Sequence, residues 1–357
     1  MGEMRRNHPA LICVLLGILS ACDQGKLETS RRELTPQESV FIALEPIHLR
    51  PSESDRLGMV AGLAFWGTNI AVPDGIQQNV KIFDAKGTLV QTIGRAGDGP
   101  GEFRGPSGAA AIKGGQLAVI DGMKRVTLFA PDGVYLRHWR AGVILSGNFR
   151  ASQDSTRIIV GGMGNVEDDG APAMRAALLY NVDGHLQSSL GQVPDSLRPG
   201  EYNFLAGYGA EQDGVLAAML KAHNRVHIRT RNGDTTFLVG NAIWEPPAWD
   251  RLPLNDLGAH MKWTNTQMWT NRLLPAGGGA FVAALSRFDT VADLPRAHYV
   301  FFDPSGNELT VTTAANFLIQ EIRRDTAYYL RTHPDGSVWL ERYRIRLPAG
   351  AEPKPSR

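Results

Sequence analysis

Four tryptophans, Trp244, Trp249, Trp263 and Trp269, fall within 26 residues around Pro246 and Pro247, with Glu245 and Asp250 beside them. Indole rings next to carboxylates can form a stacking or docking surface, since each ring offers a broad apolar face and one N–H donor. The same rings could equally cover the ends of neighbouring strands. A second polar set lies just before predicted strands, at Asp74 to Asn79, Asp121 to Arg125, His223 to Arg225 and Arg287 to Asp289. Its candidate ligand-binding side chains are Asp74, Asp121, Arg125 and His223. Converging oxygens of this kind would suit a hard cation such as Ca2+, the one cofactor this set suggests. An Asp at a turn, however, commonly bonds backbone amides instead.

Catalytic motifs are absent. The nine histidines form no HExxH, and His223 and His227, four apart, fall in strand and turn territory rather than on a helix. Glu167, Asp168 and Asp169 read either as a solvated acidic loop or as a weak calcium site. The run GRAGDGPGEFRGPSG (94–108) lacks the Lys-Ser or Lys-Thr of a phosphate cradle and the helix behind one. No GxSxG elbow occurs with a plausible base. The reading is therefore a binding or scaffolding module for a protein, peptide or glycan. A metal-assisted hydrolase or lactonase at a central channel, and a structural subunit of an envelope complex, are the alternatives.

These groups need a scaffold, and the N-terminus says where it works. Arg5 and Arg6 precede the apolar run Leu11 to Leu19, which is too short to span a bilayer. The ending Leu19-Ser20-Ala21-Cys22 resembles the bacterial lipoprotein box. That resemblance implies cleavage before Cys22, lipidation of its thiol, and attachment to a membrane of the bacterial cell envelope on the extracytoplasmic side. Residues 1–21 are then a signal peptide, 22–38 a tether, 39–348 one folded domain and 349–357 a tail. Cys13 and Cys22 are the only cysteines, so the domain has no thiol for a disulfide or a zinc site. With 37 Lys and Arg against 36 Asp and Glu, the net charge is +1, and it falls to zero without residues 1–21. That balance excludes a general nucleic-acid footprint.

Positioning falls to short strands in repeats. VKIFDAKGTLVQTIG (80–94) and VTLFAPDGVYLRHW (126–139) are both hairpins around a Gly turn. Gly87, Gly133, Gly184, Gly233 and Gly306 recur at spacings of 46, 51, 49 and 73, the last containing an insertion at 243–257. A period near fifty with tight turns predicts a propeller of four-stranded blades, rather than a sandwich or a β-helix. Strands are expected at 57–65, 68–72, 80–83 and 89–93, and at 108–112, 116–120, 125–129 and 135–139. A looser third unit has strands at 157–160, 177–180 and 185–190 around a Gly-rich acidic insertion at 161–172. The fourth unit covers 204–239, the fifth 267–311 and the sixth 317–343. The sixth lacks a strand, which Ser39 to Arg50 can supply, closing the ring and hiding its edge. Hidden strands in the third and fifth units would instead give seven blades.

The segment 94–133 resembles the NHL-type six-bladed propeller repeat. Gly97, Gly99, Pro100, Gly101 and Phe103 match its loop, Pro106 and Gly108 enter the next blade, and Val119, Asp121, Arg125, Val126 and Phe129 match the rest. Weaker copies fall at Val72, Asp74, Asn79, Val80, Ile82 and Phe83, and at Asn224, Arg225 and Val226; Pro199 to Tyr202 echoes Pro100 to Phe103. The resemblance is to bacterial NHL-like lipoproteins of unassigned function. It implies an all-β, six-bladed β-propeller in which the N-terminal strand closes the last blade.

Overall fold

The computed structural model describes residues 33–349 apart from 53–55, 61, 169–170, 195–205 and 290–293. The expected signal peptide, Cys22, most of the expected tether, Asp169, the 199–202 echo and nearly all of the expected tail lie outside the described residues. Within them the chain forms six four-stranded antiparallel sheets in a closed six-bladed β-propeller.

Blade 1 holds β2 (Ala64–Trp66), β3 (Asn69–Asp74), β4 (Asn79–Phe83) and β5 (Leu89–Ile93). Blade 2 holds β6 (Pro106–Ile112), β7 (Gln116–Asp121), β8 (Arg125–Phe129) and β9 (Tyr135–Arg140). Blade 3 holds β10 (Val143–Ala151), β11 (Arg157–Asp168), β12 (Ala171–Asn181) and β13 (Leu186–Gln192). Blade 4 holds β14 (Gly207–Gln212), β15 (Val215–Leu220), β16 (Arg225–Thr230) and β17 (Gly233–Leu238). Blade 5 holds β18 (Trp269–Gly277), β19 (Ala280–Asp289), β20 (Leu294–Phe302) and β21 (Glu308–Val311). Blade 6 holds β22 (Glu321–Arg323), β23 (Thr326–Thr332) and β24 (Val338–Ile345), and β1 (Phe41–Leu49), preceded by the single turn α1 (Gln37–Val40), pairs antiparallel with β24 as its outer strand. Phe41 lies opposite Ile345 and Leu49 opposite Val338, so the two ends of the domain close the ring.

Each sheet packs both faces against neighbours, so the middle strands are apolar on both sides; all five residues of β8 are buried. The core is accordingly a set of clusters between blades. Leu49, Ile70 and Phe83 meet Leu330, Val338 and Leu340 where blade 6 joins blade 1. Phe41, Tyr299, Phe301 and Phe317 fill the joint between blades 5 and 6, with the Phe41 ring 4.9 Å from Tyr299 and 5.5 Å from Phe317. Turns are fixed by side chains: Asn181 Oδ1 accepts from the amides of Asp183 at 3.0 Å and His185 at 2.9 Å. Gly184 closes that turn at φ 88°, and a Cβ there would lie 2.5 Å from the Trp139 ring.

Several strand boundaries differ from the sequence reading: β10 has no counterpart among the expected strands, β14 and β18 reach further along the chain, and three further differences have a clear physical cause. The Gly-rich stretch is no loop insertion: residues 161–168 continue β11 and 171–172 begin β12. Gly161 is small because a Cβ there would come 2.6 Å from the Gly207 carbonyl of blade 4; packing, not turning, demands it. β2 starts only at Ala64, because the preceding segment gives amides of Gly58 and Met59 to the Asp74 carboxylate instead of a ladder. Phe317 precedes β22 and serves as core, stacked on Tyr343 at 4.4 Å.

Phe41→Ala should lower stability by about 3 kcal/mol, the usual cost of emptying a buried aromatic site. Ile42→Ala, on a side chain 36 % exposed, should change it by less than about 1 kcal/mol. Urea unfolding of both variants checks whether the β1 seam carries this burden; equal midpoints would refute it.

Candidate functional site

Strand polarity gives the propeller two distinct faces. The links between second and third strands, and the crossings between blades, lie on one face. The hairpins between first and second strands, and between third and fourth, lie on the other. Asp74, Asp121, His223 and the insertion between β17 and β18 therefore share the first face.

The insertion is built on packed indoles. Trp249, Trp263 and Trp269 have ring centroids 5.7, 6.0 and 6.0 Å apart, with Ala222 and Leu252 against them. Trp269 donates from Nε1 to the Thr264 carbonyl at 2.8 Å. Above them runs α2 (Leu257–Thr266), whose N-terminus is capped by Asp256 Oδ1 accepting from the Ala259 amide at 2.9 Å. Trp244 separates from this trio and packs beside Ile243 and Phe237 on the core between blades 4 and 5. The turn bearing His223 adjoins the trio: Thr270 Oγ1 donates to the His223 carbonyl at 2.7 Å, and Lys221 Nζ lies 5.4 Å from the Trp269 ring. The His223 side chain lines a recess of about 120 Å³ with Gln192, Arg225 and His227. That recess adjoins a polar groove of about 530 Å³ between blades 3 and 4, which His227 also lines. Burial first, then Arg225 and His223, push the His227 pKa down.

Asp74, Asp121 and Arg125 lie apart from the indoles, in blades 1 and 2. Asp74 is fully buried and accepts from the amides of Gly58 at 2.6 Å, Met59 at 3.2 Å, Ile76 at 3.1 Å and Gln77 at 3.0 Å. Asp121, also buried, accepts from the amides of Met123 at 3.0 Å and Arg125 at 3.1 Å and pairs with Arg125 Nη2 at 3.0 Å. Arg125 also donates to the carbonyls of Asp98 at 2.9 Å and Glu102 at 2.6 Å, pinning the 94–105 loop to blade 2. In that loop Glu102 accepts from the Gly99 amide and from Arg95, each at 2.8 Å, while Phe103 is buried against Phe129.

The opposite face holds a site that the sequence did not disclose. All six innermost strands end around an axial cavity of about 520 Å³. Ala64, Ala109, Ala110, Ala111, Ala151 and Gly277 leave it open, and its charged lining includes Arg150 and Glu321. Arg150 Nη2 bonds Glu321 Oε1 at 2.7 Å, an ion pair across the axis between the opposite blades 3 and 6. Burial pushes the Glu321 pKa up, and Arg150 opposes that shift without cancelling it. Among the described residues, no three His, Cys, Asp or Glu side chains are grouped to hold a metal ion. A cation on this axis would also face the Arg150 guanidinium. Also among the described residues, no helix is long and apolar enough to cross a membrane.

Comparison with known proteins agrees with this architecture. A family described as "6-bladed beta-propeller" (DUF5128) matches residues 31–138. No curated protein matches the chain. A Bacteroides fragilis protein designated as exported superposes with TM-score 0.58 at 9% identity, over 87% of this chain and 97% of that one. A DUF4221 family member from Bacteroides vulgatus gives TM-score 0.60 at 8% identity, over 86% and 98%. At these identities the likeness is one of fold.

Arg150→Met should cost about 2 kcal/mol, because it leaves the largely buried Glu321 carboxylate without its partner. Adding Glu321→Leu should restore most of that. The pH dependence has a definite sign. A carboxyl whose pKa is raised on folding binds its proton more tightly in the native state, so stability falls as pH climbs from the ordinary Glu range to the raised value. Arg150→Met should deepen that fall and Glu321→Gln abolish it; pH-resolved urea titrations measure both.

Proposed function

We propose that this chain is a lipid-anchored binding propeller of the bacterial cell envelope, docking a partner protein on the face that carries the insertion. The observation behind this reading is the outer side of α2. Leu257 is 77% exposed and Met261 60%, four residues apart on one helix face, and Leu254 beside them is 61% exposed. Such an apolar cluster on a rigid base is what a protein groove recognises. The indoles provide the base, since Trp263 and Trp269 are buried and their rings pack edge to face at 6.0 Å. That packing favours a protein over a glycan, which needs an open aromatic face for its sugar rings. In this reading Asp74, Asp121 and Arg125 hold the turns of the docking face, while Trp244 and Trp249 fix the insertion to blades 4 and 5. The exported designation of the Bacteroides fragilis protein and the Cys22 motif both support an extracytoplasmic place.

Two measurements test it. Full-length protein extracted from membranes in detergent should retain a stoichiometric partner. The double variant Leu257→Asp, Met261→Asp should lose that partner while stability changes by less than about 1 kcal/mol. Recovery of the same partner with the double variant would remove α2 from the docking surface. Separately, Cys22→Ala should abolish incorporation of labelled fatty acid and move the protein to the soluble fraction; continued labelling would refute the anchor.

A further inference from the structure

α2 alone is too small to hold a stable partner. It spans ten residues, so it is about 15 Å long and, with side chains, roughly 10 Å wide. A stable complex buries about 800 Å² on each partner, several times the footprint of one such helix. The rest of the contact must come from elsewhere on the same face. Among the described residues twelve large apolar side chains are exposed, and Leu254, Leu257 and Met261 of the insertion are three of them. Met59, Ile76 and Met123, exposed by 57, 64 and 47%, are three more. They also lie on the insertion face: Met59 in the crossing from blade 6 to blade 1, Ile76 and Met123 in the links between second and third strands of blades 1 and 2. The other six sit on outer strands or, for Val134, in a turn of the opposite face.

Met59, Ile76 and Met123 form a second patch over the joint between blades 1 and 2, across the ring from the insertion. The Asp74 carboxylate accepts from the amides of both Met59 and Ile76, and the Met59 carbonyl accepts from the Gly75 amide at 2.9 Å. The two side chains flank that turn: a Cβ on Gly58 would lie 2.8 Å from Ile76 Cβ, and one on Gly75 would lie 2.7 Å from Met59 Cε. In blade 2 the Asp121 carboxylate accepts from the Met123 amide, and the Gly122 amide donates to the Arg104 carbonyl at 2.9 Å. The 104–106 segment runs between the two turns, since a Cβ on Gly75 would also lie 3.8 Å from the Pro106 carbonyl. The buried aspartates thus hold the turns while the apolar side chains face outward. One edge of the patch is basic. Arg95, Arg104 and Arg125 are balanced there by Glu102, Asp98 and Asp121. Lys124 adds a positive charge beside Met123, and Arg140 adds another, its Nη1 donating to the Met123 carbonyl at 3.4 Å.

We infer, building on the docking at α2, that one folded protein lies across the mouth of the ring and touches both patches. It sets apolar side chains over Met59, Ile76 and Met123 and carboxylates against Lys124 and Arg140. The two thioethers are flexible and adapt to the surface that covers them. The charges at the rim govern the partner's orientation and rate of arrival more than its final affinity. In this arrangement the buried Asp74 and Asp121, beyond stabilising their turns, position the second contact.

The test is photo-crosslinking of the full-length protein in its own membrane, with p-benzoylphenylalanine placed at position 76, 257 or 134. Positions 76 and 257 should each yield an adduct with one and the same protein. Position 134, on the opposite face of blade 2, should yield none with it. Ile76→Asp combined with Met123→Asp should reduce retention of that protein by about tenfold or more. The urea midpoint should stay unchanged, because both side chains are exposed. An adduct at 257 with none at 76, with a different protein at 76, or with phospholipid at 76 would overturn the second contact and leave docking at α2 intact. So would capture of the same protein at 134, or equal retention by wild type and the double variant. Absence of any protein adduct at 257 would instead remove the docking at α2 and this wider footprint together.

Discussion

No blade of this ring is complete alone. Each sheet hides both faces against its neighbours, and blade 6 has only three strands until β1 arrives from the other end of the chain. The pairing of β1 with β24 therefore supplies the fourth strand and removes an open edge that could recruit another chain. It also brings Leu49 into the joint between blades 6 and 1 and Phe41 into the joint between blades 5 and 6. The remainder of the architecture presupposes this seam, because a ring with one open joint would expose two apolar sheet faces at once.

The repeat was legible because its signals are local. A Gly turn, an Asp or Asn one to three residues before it and two flanking apolar runs all lie within about fifteen residues, and they reappear with each blade. β1 was legible for a different reason: the last unit was a strand short and the first began with a strand too many. What escaped notice was non-local or ambiguous. Gly161 and Gly164 carry the composition of a loop, yet they are glycines because Gly207 and Leu178 approach them closely. β10 has shifts in its pairing with β11, which break the alternation that would have announced it.

The candidate site divides in the same way. The clustered tryptophans stood out by composition, and three of them do come together. Asp74 and Asp121 stood out by position, and the fold uses both as acceptors for turn amides. Arg150 and Glu321 could not be paired from sequence, since 171 residues separate them and only closure of the ring brings opposite blades face to face. Cross-axis chemistry in a propeller depends on closure, and closure is a property of the entire chain.

That dependence also explains why the axis can be charged at all. In a sandwich or a bundle the centre is where apolar side chains must meet, and a guanidinium there would displace the packing that stabilises the fold. Here the apolar clusters lie between adjacent blades, displaced from the axis. The six innermost strands consequently owe little of their stability to contacts with one another across the centre. Small residues there, such as Ala109 and Ala151, cost little packing, and ionic residues such as Arg150 retain enough water or partners to persist. The ring thus separates the energetics of folding from the chemistry of its centre. It leaves one face to carry an apolar helix and the other to open onto a cavity crossed by an ion pair.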